Sequence, residues 1–255
     1  MNDSPKLFAV YFPGDGPNSA FYERMAKVLD YTAHRHCSNW QIDVRLIDPG
    51  KYSNQHQHSH ISNTHKLDHW NRFVLGCADG DRVLLMDSDM MILRGLDEIW
   101  SQDFDIAYTS KNAKLPFNGG VLFLRVSAKT KLFMQAYWDK NMELLNDRNL
   151  HAKHRAKCGG MNQAAFGALI PEVVTPKSSA IETPWGKLVA IPCRDWNCAQ
   201  GDWAKYTPES TRIVHVKSGL RKAIFGRGPI EPHLTPLIDI WRSLERESQP
   251  ALSHR

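Results

Sequence analysis

Residues 82–89, Arg-Val-Leu-Leu-Met-Asp-Ser-Asp, constrain the chain more than any other stretch, because an apolar run of strand length ends abruptly on two acids. The run reads as a short buried strand. Upstream, Leu7 to Phe12 is β-rich and closes on the turn-forming cluster Pro13-Gly-Asp-Gly-Pro. Ser19 caps a helix to about His34, with Phe21, Met25, Val28 and Leu29 at helical spacing. Gln41 to Ile47 alternates as a strand. A polar, histidine-rich loop from Pro49 to Ser62 then leads into a helix from Asn63 to about Cys77, with Leu67, Trp70, Phe73 and Val74 on one face. This β-α-β-α-β order predicts an α/β fold, a mixed and mainly parallel sheet flanked by helices on both faces.

The later chain is less regular. Ile106-Ala-Tyr and Gly120-Val-Leu-Phe-Leu read as strands, and Ser127 to Leu145 as a helix carrying Leu132, Phe133 and Ala136. A short helix over Gly160 to Leu169, a strand over Ile213 to Val216 and an amphipathic helix over Thr235 to Glu247 complete the pattern. Length permits one large α/β domain or two small ones. With no repeat, low-complexity tract or linker, a single compact domain is the simplest expectation. Apolar residues at 42% and charged residues at 23% exclude disorder, collagen and coiled coil.

No apolar run approaches the roughly 20 residues a bilayer requires, and the polar start Met1-Asn-Asp-Ser-Pro-Lys is unlike a signal peptide. Five cysteines, Cys37, Cys77, Cys158, Cys193 and Cys198, are an odd number suited to reduced thiols, so a cytoplasmic location is expected. Cys193 and Cys198 are close enough in sequence to pair locally. There is no CxxC, hence no zinc-site spacing.

The net charge of +5 is localised. Residues 204–227 hold Lys205, Arg212, Lys217, Arg221, Lys222 and Arg227 against Glu209 alone, so this segment carries 6 − 1 = +5 and the remainder sums to zero. A second cluster comprises Arg148, Lys153, Arg155 and Lys157, interleaved with His151 and His154. Such patches attract phosphates or a polyanion.

In Asp87-Ser88-Asp89 the two acids stand two apart in extended backbone and therefore face the same side. They lie at the C-terminal end of a strand, where open α/β sheets bind ligands. Paired hard carboxylates suit Mg²⁺ or Mn²⁺ shared with substrate phosphates. His215, directly after an apolar strand, reads as a third ligand, weighed against a buried core histidine. Gly219 would allow close backbone approach to a phosphate and Lys222 would offset diphosphate charge, against the alternative of a basic surface turn. His56, His58 and His60 read as a flexible loop more readily than as a transition-metal site.

Four stretches in order carry a resemblance. Val83-Leu-Leu-Met-Asp-Ser-Asp-Met-Met-Ile resembles the metal strand of GT-A nucleotide-sugar glycosyltransferases, particularly family eight, the glycogenin and bacterial galactosyltransferase group. Asn118-Gly-Gly-Val-Leu-Phe-Leu is similar to its Asn-Ser/Ala-Gly-Val segment, Asn162-Gln163 to its Asp-Gln pair, and His215-Val-Lys-Ser-Gly-Leu-Arg-Lys to its His-x-x-Gly-x-x-Lys donor loop. Three departures stand out. Asn162 replaces an Asp, His215 and Gly219 are four apart where the family has three, and Ala223-Ile224 replaces Pro-Trp.

The resemblance implies a GT-A (Rossmann-like) fold and a metal-dependent, retaining transfer of a sugar from a nucleotide diphosphate sugar, UDP above all, to an acceptor hydroxyl. Asp87, Asp89 and His215 would hold Mn²⁺ or Mg²⁺. Asn118, Gly119 and Gly120 would face the sugar, with Gln163 beside its reacting carbon and Asn162 on its hydroxyls. Lys66, Gly219 and Lys222 would contact the donor, and Trp196 and Asn197 the acceptor side. Residues 1–92 would then form a nucleotide-binding half, 93–230 a sugar and acceptor half, and 231–255 a C-terminal helix and tail. Two other classes remain open: a noncatalytic module binding nucleic acid or an anionic glycan through the basic patches, and a glycosyltransferase whose acceptor is nucleic acid. A sugar-phosphate nucleotidyltransferase would need a basic glycine-rich loop where Pro13-Gly-Asp-Gly-Pro stands. The chain has no P-loop, GxGxxG, GxSxG or HExxH.

Overall fold

The computed structural model describes residues 4–12, 19–47, 58–111, 115–173 and 180–249. The Pro13 turn cluster and His56 lie outside the described residues, as does the side chain of His58.

A seven-stranded sheet forms the centre. Its order is β2 (Gln41–Leu46), β1 (Lys6–Tyr11), β3 (Arg82–Asp87), β6 (Phe117–Arg125), β5 (Ile106–Ser110), β8 (Gly186–Pro192), β7 (Ala180–Thr183). β1 pairs parallel with β2 and β3, and β5 parallel with β8; the pairs β3–β6, β5–β6 and β7–β8 are antiparallel. Five strands therefore run one way, with β6 and β7 reversed. The mixed, mainly parallel α/β fold expected from the βαβ pattern is what forms.

Alternation along β1 and β3 explains the cover on both faces. Phe8, Val10, Val83 and Leu85 enter one core, beneath α2 (His58–Leu75), α3 (Ala128–Asn146) and α5 (Met161–Leu169). Their chain neighbours Leu7, Ala9, Leu84 and Met86 enter the other, beneath α1 (Ser19–His36). Successive strand side chains point to opposite faces, so an unbroken apolar run is required when both faces are covered. A third core joins Met25 and Val28 of α1 to Trp241 of the C-terminal helix α8 (Thr235–Ser248).

Several elements differ from the sequence expectation. Residues 58–62 belong to α2 and not to the preceding loop, and residues 148–158, expected only as a basic cluster, form α4 (Arg148–Cys158). The hairpin β7–β8 was not anticipated. The expected donor loop is largely a helix, α7 (Ser218–Ile224), reached from α6 (Cys193–Trp196) and β9 (Ile213–His215).

A second, two-stranded sheet positions the site. β4 (Met90–Ile92) pairs antiparallel with β9, Met90 opposite His215. Val216 N–H donates to the Asp89 carbonyl at 2.7 Å and Leu93 N–H to the Arg212 carbonyl at 2.7 Å. A shift of one residue would turn His215 to the other face. This ladder is what joins positions 89 and 215. All five cysteines are buried free thiols. Among the described residues no helix is long and apolar enough to cross a membrane.

Candidate functional site

Asp87 ends β3 at the C-terminal edge of the sheet and Asp89 follows in the tight connection to β4. His215 Nε2 lies 3.1 Å from Asp89 Oδ1 and 3.7 Å from Asp87 Oδ2. One donor atom from each of the three falls within 4.8 Å of the others. Two carboxylates and a neutral imidazole at this spacing fit a hard to borderline divalent ion such as Mg²⁺ or Mn²⁺.

The imidazole is oriented from behind. His215 Nδ1 is 2.9 Å from Asn197 Oδ1, an acceptor, so Nδ1 carries a proton and Nε2 is turned toward the carboxylates. Asn197 Nδ2 in turn donates to Thr109 Oγ1 at 2.9 Å, and Thr109 Oγ1 donates to the Asn118 carbonyl at 2.8 Å. Asn197 and Thr109 are fully buried. The relay thus runs from β9 through the end of α6 to β5 and β6.

Gly120 is where a side chain cannot fit. A Cβ there would lie 2.7 Å from Asp87 Oδ2 and 2.9 Å from His215 Cε1. Gly119 faces the other way, its Cβ position 3.1 Å from Gln163 Cγ. The Gly119-Gly120 pair therefore separates the Asp-Asp-His cluster from Gln163 by a single strand of bare backbone.

Cations surround the cluster. Lys66 Nζ donates to Asp87 Oδ1, and Arg221 Nη1 stands 3.7 Å from Asp89 Oδ2. Burial works to raise the Asp89 pKa, but the charge and hydrogen bond of His215, then Arg221 and Lys217, outweigh it and hold the carboxyl at about 2. Burial lowers the Lys217 ammonium from its ordinary value, against the pull of Asp89 and Asp87. A cleft of about 250 Å³ opens over these groups, lined also by Val10, Phe12 and Tyr22.

Among the expected site residues, Asp87, Asp89, His215, Lys66, Asn118, Gly119, Gly120 and Gln163 gather at this edge. Gln163 spends its amide N–H groups on the carbonyls of Phe117 (3.0 Å) and Cys158 (2.6 Å), which leaves Oε1 as the acceptor end. Asn162 is 3% exposed, yet neither its Nδ2 nor its Oδ1 has a hydrogen-bond partner among the described residues. Asn197 lies behind His215. Trp196 is in the core, its ring 5.6 Å from that of Phe123 and beneath the Arg212 guanidinium.

In the basic segment the cleft is lined by the residue before Lys222. Lys222 is exposed, while Arg221 lines the cleft. Gly219 has ordinary backbone, and the left-handed residue is Ser218, φ 47°. Counted from His215, Ser218 and Arg221 stand three and six residues on, the spacing of the His-x-x-Gly-x-x-Lys pattern. By residue type the pattern falls on Gly219 and Lys222, by spacing on Ser218 and Arg221.

No family model and no curated protein matches the chain. Solved structures do. The galactosyltransferase LgtC, solved with donor and acceptor sugar analogues, is 12% identical with a TM-score of 0.58 over 97% of this chain and 98% of that one. A glycosyltransferase involved in glycosylation of the major capsid of PBCV-1 is 12% identical with a TM-score of 0.56 over 86% and 96%. The glycosyltransferase GlyE of Streptococcus pneumoniae TIGR4 is 14% identical with a TM-score of 0.57, and this chain spans 61% of it. The architecture is that of the GT-A glycosyltransferases.

Proposed function

We propose that the chain is a divalent-metal-dependent glycosyltransferase that moves a sugar from a nucleoside diphosphate sugar, UDP-linked, to an acceptor hydroxyl with retention of configuration. The observation that carries this reading is the convergence of Asp87, Asp89 and His215 at the C-terminal edge of a GT-A sheet, beneath a cleft bordered by cations. Asp87, Asp89 and His215 would hold Mn²⁺ or Mg²⁺, which would supply Lewis-acid stabilisation of the leaving group, worth several kcal/mol.

The chain's own residues do the rest. Arg221, at the rim beside Asp89, offsets diphosphate charge, the part first assigned by residue type to Lys222. Lys66 fixes the Asp87 carboxylate and adds positive charge from α2. Gln163, its amide nitrogen tied to backbone, offers Oε1 to positive charge developing at the reacting carbon. Asn162, a buried amide without a hydrogen-bond partner among the described residues, has donor and acceptor ready for sugar hydroxyls. Buried free thiols accord with a reducing, cytoplasmic setting.

The test is nucleotide release from a panel of UDP-sugars with Mn²⁺, comparing wild type with Asp89→Ala. Loss of several kcal/mol of leaving-group stabilisation predicts a fall of about 100-fold or more in the variant. Equal release from both proteins would remove the metal role.

A further inference from the structure

A second cavity, of about 220 Å³, opens at the same sheet edge, over the ends of β5 and β8 and the start of α6. Its walls include Lys111, Arg194, Lys205 and Asp202, a formal balance of 3 − 1 = +2. Arg194 and Lys205 are partly matched, by Asp195 at 3.4 Å and Asp202 at 3.7 Å. Lys111 has no ion pair among the described residues.

The cavity is built against the metal cluster. Cys193, in its wall, donates from Sγ to the Asn197 carbonyl at 3.0 Å, and the Asn197 side chain holds His215. Asp202 is 8% exposed, and its Oδ2 has no hydrogen-bond donor among the described residues. A buried carboxylate oxygen without a donor costs free energy that a ligand hydroxyl would recover.

We infer that this cavity receives the acceptor, and that the acceptor is a saccharide bearing an anionic group. The anionic group, a carboxylate or a phosphate ester, faces Lys111 and Lys205, and a sugar hydroxyl donates to Asp202. A neutral sugar meets the hydroxyl requirement but leaves Lys111 without a counter-charge and Lys205 only partly matched, so charge is the discriminating feature. The word acceptor rests on the glycosyl-transfer reading; the binding of an anionic saccharide does not.

The experiment titrates the full chain by calorimetry at fixed ionic strength with a glucuronic-acid-terminated disaccharide, glucose 6-phosphate, lactose and inorganic phosphate. The same titrations are made on the Lys111→Ala/Lys205→Ala double variant and on Asp202→Asn, with UDP and Mn²⁺ binding measured in every sample. One of the two anionic sugars should bind at least about tenfold more tightly than lactose and than phosphate, and the double variant should lose about tenfold. Asp202→Asn should weaken the sugar but not phosphate. Whichever anionic sugar wins names the group. Lactose binding as well as either anionic sugar, phosphate matching both, or anionic-sugar affinity surviving the double variant would each overturn the inference. Failure of UDP and Mn²⁺ to bind wild type, with anionic-sugar binding intact, would sink the donor reading and leave this cavity standing.

Discussion

Ser218 and Arg221 show how one residue of register changes a chemical assignment. A left-handed backbone at a residue with a Cβ costs on the order of 1 kcal/mol, and it turns α7 so that Arg221 reaches the cleft while Lys222 faces water. Arg221→Ala should weaken UDP binding about tenfold or more, the scale of a lost charge-assisted contact, whereas Lys222→Ala should leave it unchanged. A calorimetric titration of both variants decides between them. Asn197 makes a separate claim. Removing a partner that orients a metal-bound imidazole lowers metal affinity by about 10- to 100-fold, so Asn197→Ala should show that loss in an Mn²⁺ titration while ¹⁵N spectra of metal-free protein show His215 no longer fixed in its Nδ1–H form. The carboxylates and His215 were legible as residue types; Asn197 was expected only on the acceptor side, because its contact with His215 is a hydrogen bond between positions 18 residues apart.

Among the elements, legibility followed how completely each one's burial is written into its own residues. β3 was plain, since both its faces are covered and four of its six residues are buried apolar side chains. α8 was also plain, with Leu237, Ile238, Trp241 and Leu244 on one buried face. Trp241→Ala should cost about 3–5 kcal/mol, as expected for emptying a fully buried indole site, and a urea melt would read it as a lower midpoint with unchanged slope. α4 was not read as a helix: it buries only His151 and Cys158, too few for an apolar period, and its Asp147 cap lies in a polar run. β4 escaped because three residues carry no periodicity, and its existence depends on β9, 120 residues later. The anticipated donor loop became α7 because its apolar side, Leu220 and Ala223, has the third core to pack against.

At the scale of the whole molecule, the site exists only because remote parts of the chain close on one another. The β4–β9 ladder carries His215 to the acids, and α8 closes the third core against α1, with Arg24 on Glu245 and Arg35 on Glu247 across the surface. Such exposed pairs are worth at most about 1 kcal/mol each, so the apolar contact does most of the holding. The order of motifs foretold the fold because the acids end β3 and Asn118-Gly119-Gly120 opens the adjacent β6, while Gln163 reaches the same place from α5 and His215 from β9. It could not foretell the second, basic cavity, whose walls come from residues 110–111, 192–194, 200–202 and 205 and share no sequence pattern. The central claim is that Asp87, Asp89 and His215 hold one divalent ion. An Mn²⁺ titration followed by electron paramagnetic resonance, with and without UDP, tests it on wild type, Asp89→Asn and His215→Ala. One ion per chain, bound more tightly with UDP and weakened about 100-fold or more in either variant, is the predicted result. Equal Mn²⁺ binding by all three proteins would contradict it.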